Sequence, residues 1–182
     1  MKKSKAKVPP RRRPPKEKAR QALPSPESHP SSLSLRCILV PIDFSDHSKN
    51  ALRYAIPIAA QFGAALRLIY VIEPTIYPAD LGFGQVVMPG VEEELRSKSE
   101  DELKNLIETE IGDRVVAKSI VRMGKPHQEI LKEAKEENAD LIILATHGHT
   151  GVEQILFGST AMRVVRLAEC PVLTIRPQAS AH

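Results

Sequence analysis

Residues 141–175 read LIILATHGHTGVEQILFGSTAMRVVRLAECPVLTI. Leu141-Ile142-Ile143-Leu144-Ala145 is an apolar run too short for a helix and unbroken enough for a strand buried on both faces. A loop containing Gly148, Gly151 and Gly158 follows. Ser159 to Leu167 reads as a short amphipathic helix, with Ser159 at the N-cap, where its hydroxyl accepts from an orphan backbone N–H. Pro171 to Ile175 is a closing strand. The order is therefore strand, glycine-rich loop, helix, strand.

That loop suits an anion. Glycines let the backbone turn and approach a ligand closely. The following helix start points free N–H groups and its positive dipole end at the same place. Phosphate is the natural guest and a nucleotide its bearer. The competing reading is a plain connection, since glycine-rich loops after strands need not bind anything.

Upstream, strands and helices alternate. Cys37 to Ile42 is a first buried strand, with Pro41 near its end because proline cannot donate to a central ladder. Ser45 or Asp46 caps a helix reaching about Phe62, through Pro57, with Gly63 as its stop. Ala65 to Val71 is the second strand. A glycine- and proline-bearing connection spans Glu73 to Gly90, and its Gly82-Phe83-Gly84 lacks the third glycine of a dinucleotide fingerprint. Val91 to about Glu110 is a second helix with Leu95, Leu103, Leu106 and Ile107 on its apolar stripe. Val115 to Arg122 is the third strand, and Pro126 opens a third helix with Ile130, Leu131 and Ala134 inward. This alternation implies a parallel sheet with helices on both faces.

Ala145-Thr146-His147-Gly148, nine residues, then Gly158-Ser159 resembles the universal stress protein signature, G-x-x-G, nine residues, then G followed by Ser or Thr. Ala145 replaces the first glycine. Val164-Val165-Arg166 and Cys170-Pro171-Val172-Leu173 resemble the family's last helix and strand, and the likeness runs from about Leu35 to Pro177. With the alternating pattern, it implies an open, Rossmann-like five-stranded parallel sheet ordered 3-2-1-4-5. It further implies ATP as ligand, a stress-response or signalling role, and a homodimer formed through the C-terminal edge strand.

In such a sheet, ligands bind at the carboxyl ends of strands where the order reverses. That rule selects Pro41, Ile42 and Asp43, then Val71, and the loop carrying Ala145, His147, Gly148, Gly158, Ser159 and Thr160. The resemblance puts Asp43 beside the nucleoside and the Val71 backbone against adenine; capping the first helix is the alternative role for Asp43. Met123 and Gly124 precede the third helix and shape the pocket wall. His147 and His149 form an H-x-H pair without acidic or cysteine partners at ligand spacing, which reads as loop histidines rather than a metal centre. Arg163, Arg166 and His127 read as surface residues. Few cations of the chain's own flank the expected phosphates, so magnesium is expected with them. No phosphate-loop lysine, nucleophile elbow or catalytic triad is present, so the expectation is binding with at most slow ATP hydrolysis. The alternative is a dimeric interaction module of the same fold that binds no nucleotide.

The length of 182 residues suits one domain, and 42% hydrophobic with 26% charged residues is ordinary for a globular protein. Its net charge of +4 hides an asymmetry: residues 1–35 carry ten Lys or Arg against Glu17 and Glu27, and the remainder carries 16 basic against 20 acidic residues. Seven of the 15 prolines lie in that basic segment. It is expected to be a disordered tail over residues 1–34, followed by the domain at 35–177 and a short tail at 178–182. Its lysines and arginines suit weak contact with a polyanion, yet it lacks aromatics for base stacking, and its prolines oppose an amphipathic helix. No apolar run approaches a transmembrane span. Cys37 and Cys170 read as buried free thiols, and a cytoplasmic location is expected.

Overall fold

The computed structural model describes residues 33–73, 91–146 and 157–176. The chain divides into two compact units, Met1–Leu33 and Ser34–His182, and every element named below belongs to the second. The expected disordered tail, up to residue 32, lies outside the described residues. So do the connection over 74–90, the loop residues His147, Gly148, His149 and Gly151, and the tail at 178–182.

In order come β1 (Cys37–Pro41), α1 (Asp46–Phe62), β2 (Ala65–Ile72), α2 (Val91–Leu106), a π-helical turn (Ile107–Ile111), β3 (Ala117–Met123), α3 (Pro126–Glu136), β4 (Leu141–Ala145), α4 (Ser159–Leu167) and β5 (Val172–Ile175). The strands form one parallel sheet in the order β3-β2-β1-β4-β5, as expected. β1 pairs with β2 from Cys37 opposite Ala65 to Pro41 opposite Ile69. This register puts one apolar face of each strand toward each helical layer.

Successive side chains of a strand point to opposite faces, so the apolar runs of β1, β2 and β4 feed two cores. Ile38, Val40, Ile42, Leu66 and Leu68 pack with Leu52, Ala55, Ile56 and Ala59 of α1 and Leu103 and Leu106 of α2. Leu39, Ile69, Ile142 and Leu144 pack on the other side with Ile130 and Ala134 of α3 and Ala161 and Val164 of α4. Pro57 lies inside α1 and the helix continues through it to Phe62. Gly63 then takes φ 66°, a left-handed value that glycine adopts without steric penalty, and its N–H caps the Ala59 carbonyl.

Several local expectations change. Leu95 is 45% exposed and stays out of the core; the inward residues of this segment are Ser99, Leu103, Leu106 and Ile111. The π turn adds one residue to the helical repeat, which brings Ile111 rather than Glu110 to the buried side. β3 begins at Ala117, two residues later than the apolar pattern implied, and Val116 is exposed. Both cysteines are free and half-buried rather than buried. Cys37 begins β1 and Cys170 shortly precedes β5, and β4 lies between those strands, so two interstrand spacings separate them.

Candidate functional site

Sheet order reverses between β1 and β4, and the two strands part there. Their ladder pairs Ile38 with Leu141 and Leu39 with Ile142 and stops, although the strands run on to Pro41 and Ala145. Proline explains the stop. The Ile42 N–H points to β2, where it donates to the Ile69 carbonyl at 2.8 Å. Backbone donors alternate sides along a strand, so the residue at position 41 is the one whose N–H would face β4, and Pro41 has none.

The chain leaving β1 turns within three residues. Ser45 caps α1, its Oγ accepting from the Ser48 N–H at 3.2 Å. Ser45 also donates twice to Asp43 Oδ1, from its backbone N–H at 3.1 Å and its hydroxyl at 2.5 Å. Phe44, between them, has φ 63°, rare for a bulky non-glycine residue, and its ring lies 4.8 Å from that of Tyr70. Ser45, not Asp43, is therefore the cap of α1; Asp43 buttresses it from just past the carboxyl end of β1.

The chain leaving β4 is tied down at both ends of its loop. Thr146, fully buried, donates its N–H to the Ile175 carbonyl at 3.0 Å. Its own carbonyl accepts from the Gly158 N–H at 2.7 Å. This bond sets the start of α4 against the carboxyl end of β4. A Cβ at position 158 would meet the Thr146 carbonyl oxygen at 3.4 Å, an ordinary contact, so the return itself does not require glycine. The N-cap is Gly158, not Ser159 as the sequence implied: Gly158 is extended (φ −63°, ψ 156°), and Ser159 and Thr160 are the first two helical residues. Glycine has no side chain with which to cap this end, and the N–H groups of the first turn have no partners within the helix.

Val71 sits near the end of β2, opposite Arg122, and packs with the α3–α4 core. Met123 ends β3 and is exposed. Gly124 follows with φ 149°, its N–H bonded to the Ile72 carbonyl at 3.0 Å, and a Cβ there would press on the Glu129 side chain at 3.0–3.1 Å. Ala145, half-buried, closes β4 opposite Ile175. Pro41, Ile42, Asp43, Val71, Met123, Gly124, Ala145, Gly158, Ser159 and Thr160 therefore all gather at the carboxyl edge of the sheet.

His127, expected on the surface, is half-buried. Burial, then the charges of Arg163 and Lys125, push its pKa below the ordinary histidine value, against a weaker upward pull from Glu73. Arg163 is exposed on α4, yet it lies close enough to act on His127. Among the described residues no group of three or more His, Cys, Asp or Glu is placed to hold a metal ion. No described helix is long and apolar enough to cross a membrane.

One charged cluster escaped the sequence reading. Glu133 of α3 is fully buried and meets Arg67 of β2 and Arg122 of β3. The available signal was the position of Glu133 between the inward residues Ile130 and Ala134, with an arginine standing inside each of two neighbouring strands.

The universal stress protein family model matches residues 35–176. The chain belongs to the universal stress protein family. Universal stress protein MJ0531 of Methanocaldococcus jannaschii is 35% identical over 141 residues, 76% of this chain and 81% of that protein. The solved structure of protein MJ0577 of the same organism superposes with a TM-score of 0.70 at 27% identity, covering 81% of this chain and 100% of the other. A universal stress protein solved in complex with cAMP shares the fold at 21% identity, with a TM-score of 0.52 over 79% of this chain and 98% of its own.

Proposed function

We propose that this universal stress protein binds ATP at the carboxyl edge of its sheet and works as a stress-response or signalling module through that binding and through dimerisation. The nucleoside lies beside Asp43 and the Val71 backbone, in the gap that Pro41 and Ile42 open between β1 and β4. Met123 and Gly124 form the far wall. The phosphates follow Ala145, His147 and Gly148 to Gly158, Ser159 and Thr160 at the start of α4. The observation that carries this reading is the Gly158 N–H bond to the Thr146 carbonyl, which sets the N-terminus of α4 against the carboxyl end of β4, beside the gap between the strands.

The residues present fit a nucleotide: the first-turn N–H groups of α4, which have no partners within the helix, suit phosphate oxygens. Magnesium fits as a companion of the phosphates, held by their oxygens and water rather than by a protein cage. Dedicated catalysis is not part of the proposal. The homodimer forms through the edge strand β5, the protein works in the cytoplasm, and the basic tail over residues 1–34 makes weak polyanion contacts outside the domain at 35–177.

Ala145 supports a second reading. It replaces the first signature glycine at the end of β4, where a methyl group crowds the approach of a ribose, and a site closed in this way leaves a dimeric interaction module. Titration calorimetry of the full chain with Mg-ATP separates the two. Saturable binding below millimolar ATP supports the nucleotide reading, and no heat at millimolar ATP leaves the interaction module.

A further inference from the structure

We propose that Ser45 and Ser48 are positioning residues for the nucleotide, holding the Asp43 backbone and carboxylate in the orientation that meets the nucleoside. The inference rests on the ATP reading above. In an ordinary capping box the third helical residue sends its side chain back to the N–H of the N-cap residue. Ser48 is that third residue, and it does something else. Its Oγ accepts the Asp43 N–H at 3.3 Å and donates to the Ser45 carbonyl at 3.0 Å. The Ser45 N–H that it would normally accept goes instead to Asp43 Oδ1 at 3.1 Å, alongside the Ser45 hydroxyl at 2.5 Å.

Capping α1 requires only the bond from the Ser48 N–H to Ser45 Oγ. The displaced bonds converge on Asp43 and fix both its backbone and one carboxylate oxygen. Ser45 and Ser48 are buried, so their hydroxyls keep these partners rather than trade them with water. Phe44, wedged between with φ 63°, points the same way: such a conformation persists only where its surroundings over-determine it, and a helix cap does not demand it. Tyr70 braces the Phe44 ring from β2, the strand that also carries Val71. The arrangement links the residue expected at the nucleoside rigidly to α1.

The test is calorimetry of the full chain with Mg-ATP, AMP and inorganic tripolyphosphate. Wild type is compared with Ser48→Ala, Asp43→Asn, their double variant and the near-isosteric Ser48→Cys, which carries the comparison if the alanine variant does not fold. Loss of one positioning hydrogen bond should raise the Kd for ATP and AMP about tenfold while tripolyphosphate stays within about twofold. The double variant should bind no worse than Asp43→Asn alone, because both changes act on one group. If the serine variants lower the thermal midpoint but leave the AMP affinity at the wild-type value, or if the two losses add, the positioning role is overturned and the ATP reading stands. If wild type binds no ATP, both fall.

Discussion

Arg67 Nε donates to the buried Glu133 Oε1 at 2.8 Å, bridging β2 and α3. The other carboxylate oxygen takes Arg122 Nε at 2.9 Å, from β3. Each arginine keeps a second, more exposed partner, Glu137 for Arg67 and Glu136 for Arg122. One carboxylate with no exposed surface thus joins two neighbouring strands to the helix that crosses them. Burying a charge is unfavourable unless it is paired and hydrogen-bonded, and here both oxygens are engaged.

Removing the carboxylate leaves two arginines partly buried without their shared partner. Glu133→Ala should therefore destabilise the domain by about 3 kcal/mol, at the low end for a broken buried pair because Glu136 and Glu137 remain. A denaturant midpoint lowered without change in slope would show it. Replacing Glu133, Arg67 and Arg122 together with apolar residues should recover much of that loss. A single variant as stable as wild type would mean the cluster contributes nothing net.

Ser159 is exposed and does not cap α4, so Ser159→Ala should leave folding stability almost unchanged. Under the ATP reading the same variant should weaken Mg-ATP binding by roughly 1 kcal/mol, the worth of one hydrogen bond. Gly158→Val places a branched side chain beside the Thr146 carbonyl and in the space assigned to phosphate, and should weaken binding far more. Equal affinities in all three proteins would remove the phosphates from this helix start.

β5 is an edge strand, and Leu173 on it is 38% exposed. Apolar edges invite pairing with another strand. We expect wild type to sediment as a dimer at tens of micromolar, and Leu173→Lys to sediment as a monomer with its fold intact by circular dichroism. A monomeric wild type would refute assembly through this edge.

Asp140 accepts the Arg36 N–H at 2.7 Å and the Cys37 N–H at 3.0 Å, fastening the start of β1. The Arg36 bond, and to a lesser degree the Cys37 bond and the Arg36 charge, hold its pKa below the ordinary aspartate value against the upward pull of burial. A carboxylate depressed on folding stabilises above its unfolded pKa and loses that contribution as pH falls through the folded one. Asp140→Asn should accordingly be less stable than wild type at pH 7, and the gap should narrow below about pH 4, near the unfolded aspartate pKa. Thermal midpoints of both proteins across pH 2–7 would test this; a gap constant with pH would assign the effect to shape rather than charge.

Much of this molecule is determined by local sequence. Apolar runs such as Leu141 to Ala145 can only be buried strands, and Ser45 and Gly63 end α1 through chemistry confined to a few neighbouring residues. The signature spacing from Ala145 to Gly158 pointed to the family because it reflects one loop. Residues far apart in the chain were decided by tertiary structure. Glu133 looks like a solvated helix residue until β2 and β3 bring Arg67 and Arg122 beneath it. The cap of α4 moved from Ser159 to Gly158 because the Thr146 carbonyl pulls that N–H back to the strand, a contact that side-chain preference cannot anticipate. The position of Ile111 followed from a π turn whose extra residue shifts the helical phase. Propensity and periodicity act over one or two turns of chain, whereas pairing of charges and the phase of a helix against a sheet depend on which surfaces meet.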